Sequence, residues 1–356
     1  MKYAKENLFL LAELDEHTII NSISEWKVKT GGSMAFFDFS LEELRTYKPE
    51  RMEPDDFDSF WAETLSEVRK YPMNPELNKV DEPMDFIDVY DVTFPGFSGQ
   101  AIKGWLLTPK NIQKRLPCVV EYIGYGGGRG KPLEHLAWVN AGYAHFIMDN
   151  RGQGSSWSSG DTPDFEIEPS NSQFPGFMTR GVLNPATYYY KRLICDAVRA
   201  VELVKLLPFI DKDRIAITGG SQGGGLTIAV AGLMPEIKVA MPEVPFLCNF
   251  QRSVTLINSL PYHEIVNYLR VHRDKEGQVF RTLSYFDGMN FAYRANAKTI
   301  FSTALMDETC PPSTVFAAYN YWQGEKEIKV YPYNQHDGGG IDHLYYKISF
   351  LRSLWF

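Results

Sequence analysis

A chain of 356 residues, 44% hydrophobic and 22% charged, is long enough to bury a sizeable core in one large domain or two modest ones, and it reads as a soluble globular protein. The net charge of -8 leaves no basic footprint, so neither nucleic acid nor an anionic membrane is expected as a partner. The four cysteines, Cys118, Cys195, Cys248 and Cys310, stand singly, without zinc-site pairs or disulfide density, and read as reduced core residues of a cytoplasmic protein.

The first twenty residues carry a short apolar patch broken by Glu13, Asp15 and Glu16, with no small-residue cleavage site, and no later segment approaches membrane-spanning length. Thr30-Gly31-Gly32-Ser33 reads as a flexible linker and Met34 as a second start, so residues 1–33 are expected to be an extension, a tag or fusion, with a natural arm as the other reading. Residues 34–75 then form an N-terminal helical segment, with two amphipathic patterns separated by Pro-containing turns.

Strand signals follow at 87–94, 101–107, 118–122, 144–148, 215–218, 239–243, 299–305 and 328–333. Helical patterns lie between most of the later ones, including 190–206, and a last helix is expected at 344–354. This alternation predicts an α/β fold with a mostly parallel, eight-stranded, doubly wound sheet. Two stretches break the rhythm: 154–185, rich in Ser, Gly and Pro, and 246–294, polar and aromatic with helical patterning. Both are expected to cover the site, the second as a lid-like insertion.

The segment "ITGGSQGGGL" lies between a strand and a helical run, where Gly219-Gly220-Ser221-Gln222-Gly223 fits G-x-S-x-G. A serine at the apex of so tight a turn needs Gly219 and Gly223 on either side to let strand and helix pack closely. The spacing excludes G-x-G-x-x-G, no G-x-x-x-x-G-K-[ST] occurs, and "GYGGGRG" at 124–130 fails the dinucleotide pattern as well.

A nucleophilic serine needs a base and an acid, which in such folds follow late strands in the order nucleophile, acid, histidine. Asp307 after the 299–305 strand and His336 after the 328–333 strand meet that order. Glu308, Asp337 and Asp342 are competing acids, and Asp307 leads because it comes soonest after its strand. His343 is the rival base. His135, His145, His263 and His272 precede the acid, and His17 lies in the expected extension. Two backbone donors would serve the oxyanion: the N–H of Gln222, and that of Tyr125 in the glycine-rich loop after the third strand.

With these residues assembled, the chain from Met34 onward resembles the acetyl xylan esterase / cephalosporin C deacetylase family, carbohydrate esterase family 7, of the α/β-hydrolase superfamily. The likeness rests on Arg151-Gly152-Gln153, Gly219 to Gly223 and His336-Asp337, and on runs such as "YKPERMEPDDFDSFW" and "MDETCPPSTVFAAYNYW". It implies Ser221, Asp307 and His336 as the triad and Tyr125 with Gln222 as oxyanion donors. It also adds Arg151 and Gln153 as support on the oxyanion side; read without it, Arg151 is a surface arginine at a strand end. Asp337 stands where the family carries Glu.

The resemblance implies deacetylation of small acetylated xylooligosaccharides and of the antibiotic cephalosporin C, with no cofactor or metal, by a cytoplasmic hexamer whose sites face an inner cavity. Other readings compatible with the residues are a serine peptidase, a dienelactone-type hydrolase, or an esterase scaffold used as an assembly component through its N-terminal extension.

Overall fold

The computed structural model describes residues 36–166 and 170–356. The expected extension, 1–33, and His17 within it lie outside the described residues.

Two helices come first, α1 (Leu41–Thr46) and α2 (Phe57–Arg69). A capping box opens α1: Ser40 Oγ accepts the Glu43 N–H, and the Glu43 carboxylate accepts the Ser40 N–H at 2.8 Å. In α2, Phe57, Trp61, Leu65 and Val68 recur at helical spacing and are all buried. Trp61 anchors this helix. It is 1% exposed, its indole N–H donates to the Tyr285 carbonyl at 3.0 Å, and Phe286 and Phe291 meet it edge-on.

The described strands are β1 (Glu76–Val80), β2 (Ile87–Pro95), β3 (Ala101–Pro109), β4 (Leu116–Tyr122), β5 (Ala144–Met148), β6 (Ile210–Gly220), β7 (Val239–Glu243), β8 (Lys298–Ala304) and β9 (Lys326–Tyr331). They form one sheet in the order β1-β2-β3-β5-β4-β6-β7-β8-β9. Strands β4 to β9 pair in parallel, and β1, β2 and β3 are added to β5 as antiparallel strands. The sheet therefore has nine strands rather than the eight expected. The extra one, β1, reads "ELNKV" on the sheet edge and buries none of its residues, so it lacks the apolar alternation that marks a strand in sequence.

The remaining helices are α3 (Leu136–Asn140), α4 (Tyr189–Leu206), α5 (Gln222–Leu233), α6 (Phe250–Leu256), α7 (Tyr262–Val271), α8 (Glu276–Ser284), α9 (Gly288–Ala292), α10 (Pro312–Tyr321) and α11 (Gly340–Trp355). The period-2 alternation of β4 shows how both faces of the sheet are covered. Cys118, Val120 and Tyr122 enter a core shared with α2, α4 and α5, whereas Val119 points to the opposite face, with Trp138, Tyr143 and Leu351. All four cysteines are buried free thiols.

Among its described residues, the 154–185 stretch contains turns and bends but no helix or strand, and the 246–294 stretch is built from α6 to α9. Both meet the carboxyl ends of the parallel strands, where open α/β sheets place their ligand sites.

Because Trp61 ties α2 to the α8–α9 region, Trp61→Ala is expected to destabilise the protein by about 3–5 kcal/mol. Trp61→Phe, which keeps most of the ring volume, is expected to lose less; urea denaturation of the two variants beside the parent measures both.

Candidate active site

Strand β6 runs directly into α5 with only Ser221 between them, at φ 56° and ψ -118°. A non-glycine residue holds such a conformation only where its surroundings over-determine it. Here the Ser221 N–H donates to the Glu243 carbonyl at 2.9 Å, and the Ser221 carbonyl accepts the N–H groups of Gly225 at 3.0 Å and Phe246 at 2.9 Å. The flanking glycines make the approach possible. A Cβ on Gly219 would stand 2.5 Å from the Tyr122 carbonyl oxygen, and one on Gly223 would overlap the same atom. Gly220, by contrast, has open space where its Cβ would be.

The loops after β8 and β9 bring Asp307 and His336 together, with His336 Nδ1 2.9 Å from Asp307 Oδ2. Asp307 is fully buried, and its other oxygen accepts the N–H groups of Thr309 at 2.8 Å and Cys310 at 2.9 Å. His336 is 34% exposed and lines one cleft of about 590 Å³ together with Ser221 and Tyr125. Among the described contacts, no hydrogen bond joins Ser221 to His336. The Ser221 hydroxyl rests against the thiol of Cys310, whose pKa burial drives well above the usual range.

The competing acids stand elsewhere. Glu308, Asp337 and Asp342 are exposed, and Asp337 closes its own turn by accepting from Asn334 Nδ2 at 2.7 Å and Gln335 N–H at 3.1 Å. His343 is fully buried against Tyr331, whose hydroxyl lies 3.1 Å from its Nδ1, and burial, reinforced by Lys347 and Lys329, lowers its pKa to about 3. His135 and His145 belong to a separate cluster with Glu121, and His272 stacks on Tyr268. His263 sits on α7 and is not among the residues lining the cleft.

The backbone N–H groups of Gln222 and Tyr125 have no hydrogen-bond partner among the described residues. Gln153 ties the segments that carry them. Its side-chain oxygen accepts the Gly126 N–H at 2.6 Å, and its side-chain nitrogen donates to Gln222 Oε1 at 2.9 Å and to the Tyr189 hydroxyl at 2.8 Å. Tyr189 in turn donates to the Arg151 carbonyl at 2.6 Å. Read without the resemblance, Arg151 was expected on the surface; it is fully buried, with Nε and Nη2 on the two oxygens of Asp196 at 2.5 and 2.8 Å. Paired this way, the guanidinium anchors the chain just beyond β5 and stays away from the cleft.

Residues 34–353 match the acetyl xylan esterase (AXE1) family. The chain belongs to that family. It is similar to the acetyl esterase Axe7A of Xylanibacter ruminicola, with 30% identity over 291 residues, which is 81% of this chain and 65% of that protein. The chain thus spans about two thirds of that curated relative. Among solved structures it resembles the acetyl xylan esterase from Paenibacillus sp. R4, with TM-score 0.84, 44% identity and coverage of 88% of this chain and 99% of that one. It also resembles acetyl xylan esterase 1 from Thermoanaerobacterium sp. JW/SL YS485, with TM-score 0.82, 33% identity and coverage of 90% and 100%.

As an α/β-hydrolase of the acetyl xylan esterase family, the chain has site residues that sequence reasoning missed. Asn150 Nδ2 donates to the carbonyls of Ile123 and Gly124 at 3.2 Å and of Gly127 at 2.9 Å, holding the loop of Tyr125; its place directly before Arg151-Gly152-Gln153 was the available signal. Trp157, 63% exposed, lines the cleft and donates its indole N–H to the Tyr125 carbonyl at 2.8 Å. An aromatic residue in a Ser/Gly/Pro-rich stretch was the only hint of it. Glu264 on α7 accepts from the Tyr125 hydroxyl at 2.5 Å and gave no signal beyond an acid in the first turn of a helix.

Two outcomes follow from this geometry. Gly223→Ala is expected to cost about 1–3 kcal/mol or more through overpacking, whereas Gly220→Ala leaves the melting temperature near the parent's. His343 stays neutral in the folded chain down to about pH 3 but protonates near 6.5 when unfolded, so its contribution to stability is full above 6.5 and is lost as pH falls toward 3. Thermal melts of His343→Gln between pH 7 and pH 4 (about these limits) are therefore expected to show a shallower acid decline than the parent.

Proposed function

We propose that this protein is a serine esterase that removes acetyl groups from small acetylated carbohydrates, acetylated xylooligosaccharides among them. The observation that carries the reading is the buried Asp307 carboxylate 2.9 Å from His336 Nδ1, at the edge of the cleft that Ser221 enters from its strained turn. Family membership supports the acetyl ester as substrate.

In this mechanism His336 takes the Ser221 proton as the hydroxyl oxygen attacks the acetyl carbonyl carbon. The negative charge that develops on the carbonyl oxygen is met by the N–H groups of Gln222 and Tyr125. Collapse of the tetrahedral intermediate breaks the bond to the sugar oxygen, which leaves with the proton from His336. Water, deprotonated by His336, then attacks the acetyl-enzyme, and acetate departs as Ser221 regains its proton. Asp307 orients the ring throughout and offsets the positive charge it carries.

The same proposal includes cephalosporin C as an accepted acetyl ester and a hexameric assembly, both implied by the resemblance to the family, together with a cytoplasmic location and residues 246–294 as a lid-like insertion, both read from the sequence itself. Leu260 and Pro261 from the insertion line the cleft, which supports a wall that limits the acyl chain. A 1–33 extension that joins the protein to a partner would be compatible with an active site of this kind.

Ser221→Ala is expected to lower turnover of 4-nitrophenyl acetate by about 10⁴-fold or more while the fold is retained by circular dichroism. The parent is expected to leave a peptide anilide intact and to prefer acetyl over butyryl esters, at about 10- to 200-fold per added methylene. Anilide cleavage, or undiminished acetate release by Ser221→Ala, would overturn the reading.

A further inference from the structure

Tyr125 is bound at both ends. Its carbonyl accepts the Trp157 indole N–H at 2.8 Å, and its phenol oxygen accepts the Phe177 N–H at 2.7 Å while donating to Glu264 Oε1 at 2.5 Å. Glu264 is 2% exposed, and its second oxygen accepts the Met178 N–H at 3.0 Å. One carboxylate therefore joins three segments far apart in sequence: α7 of the 246–294 insertion, the loop after β4 that carries Tyr125, and the 174–178 turn. The turn is shaped around it, because a Cβ on Gly176, at φ +130°, would overlap the Glu264 carboxylate.

A carboxylic group buried this deeply must be paired to be tolerated. Its partners here are the phenol and the backbone N–H of Met178, and no cation takes part in these contacts. Burial raises the pKa of Glu264, and burial, with the Glu264 charge beside it, raises that of the Tyr125 phenol, which donates the hydrogen bond between them. The phenol then has one donor bond to give, and Glu264 receives it. Rotation of the Tyr125 ring would break this bond and the Phe177 contact together, and the backbone N–H of the same residue is held with the ring.

We propose that Glu264 is a positioning residue for the oxyanion donor of Tyr125, transmitting the placement of α7 to the reacting carbonyl through the Tyr125 hydroxyl. This rests on the esterase reading above. Glu264 would touch neither substrate nor nucleophile; its effect would reach the reaction only by fixing where one N–H stands. Preorganised donors are effective because they need not reorganise as charge develops, and displacement of a reacting or stabilising group by 1 Å can cost on the order of 100-fold in rate.

The test is a double-mutant cycle on turnover of 4-nitrophenyl acetate with Glu264→Gln, Tyr125→Phe and the two combined. Glu264→Gln keeps the shape but cannot accept from both the phenol and the Met178 N–H. Tyr125→Phe removes the hydroxyl and leaves the backbone N–H in place. Each single variant is expected to lower kcat by about 10- to 100-fold with KM within about twofold of the parent, and the double variant to fall no further than the worse single one. Affinity for phenylboronic acid, which forms a tetrahedral adduct on an active serine, is expected to weaken in step with kcat, while inhibition by acetate stays unchanged.

A purely structural role would lower the melting temperature and leave kcat and boronate affinity at parental values, and that result overturns the proposal. So do losses that multiply in the double variant, since they would mean that Glu264 acts by a route other than the Tyr125 hydroxyl. If Glu264→Gln fails to fold, Tyr125→Phe decides the matter: parental kcat overturns the proposal, and a loss confined to kcat supports it. A parent whose acetate release does not require Ser221 overturns both readings, whereas parental kcat in Glu264→Gln with Ser221 still required overturns this one alone.

Discussion

The site depends on one close approach, between the carbonyl oxygen of Tyr122 at the end of β4 and the turn from β6 into α5. Gly219 and Gly223 both face that oxygen from positions where a side chain would collide with it. Because they carry none, the turn closes against β4, and Ser221 is lifted to the carboxyl edge of the sheet in a conformation it would not adopt alone. The approach also sets the spacing of the two free donors. The chain leaving Tyr122 reaches Tyr125 three residues later, and the turn that touches Tyr122 leads straight to Gln222, so both N–H groups are referenced to one backbone atom.

Around this contact lie buried polar groups as well as apolar core. The carboxamide of Gln153 joins the loop of Tyr125 to the side chain of Gln222, Asn150 holds three carbonyls of that loop, and Arg151 secures the chain between them on Asp196. Networks of this kind favour a single arrangement, because loss of a member leaves another buried group unpaired; among the described residues only the Asn150 Oδ1 of this set has no hydrogen-bond partner. The rigidity falls on the side of Tyr125 and Gln222, while His336 remains partly exposed on its loop.

The sequence was most legible where a pattern is local. The parallel strands announced themselves by apolar runs, and the order of Ser221, Asp307 and His336 followed from which strands precede them. The strand β1 was not legible, since an edge strand that buries no residue carries no periodic signal. The burial of Arg151 was hidden for a different reason: its acidic partners Asp164 and Asp196 lie 13 and 45 residues away, and only the folded chain brings them within reach. Glu264 is the same case, being 139 residues from the tyrosine it contacts.

The unequal use of the two Asp307 oxygens has a further consequence. One is committed to the N–H groups of Thr309 and Cys310, and the other faces His336 Nδ1. An ionised carboxylate can only accept, so a neutral imidazole beside it carries its proton on Nδ1 and has its lone pair on Nε2. The tautomer is thus chosen by backbone amides two and three residues after the acid. An asparagine of the same shape, with its oxygen kept on those amides, would turn its NH2 toward the ring and force the opposite tautomer, with the proton on Nε2.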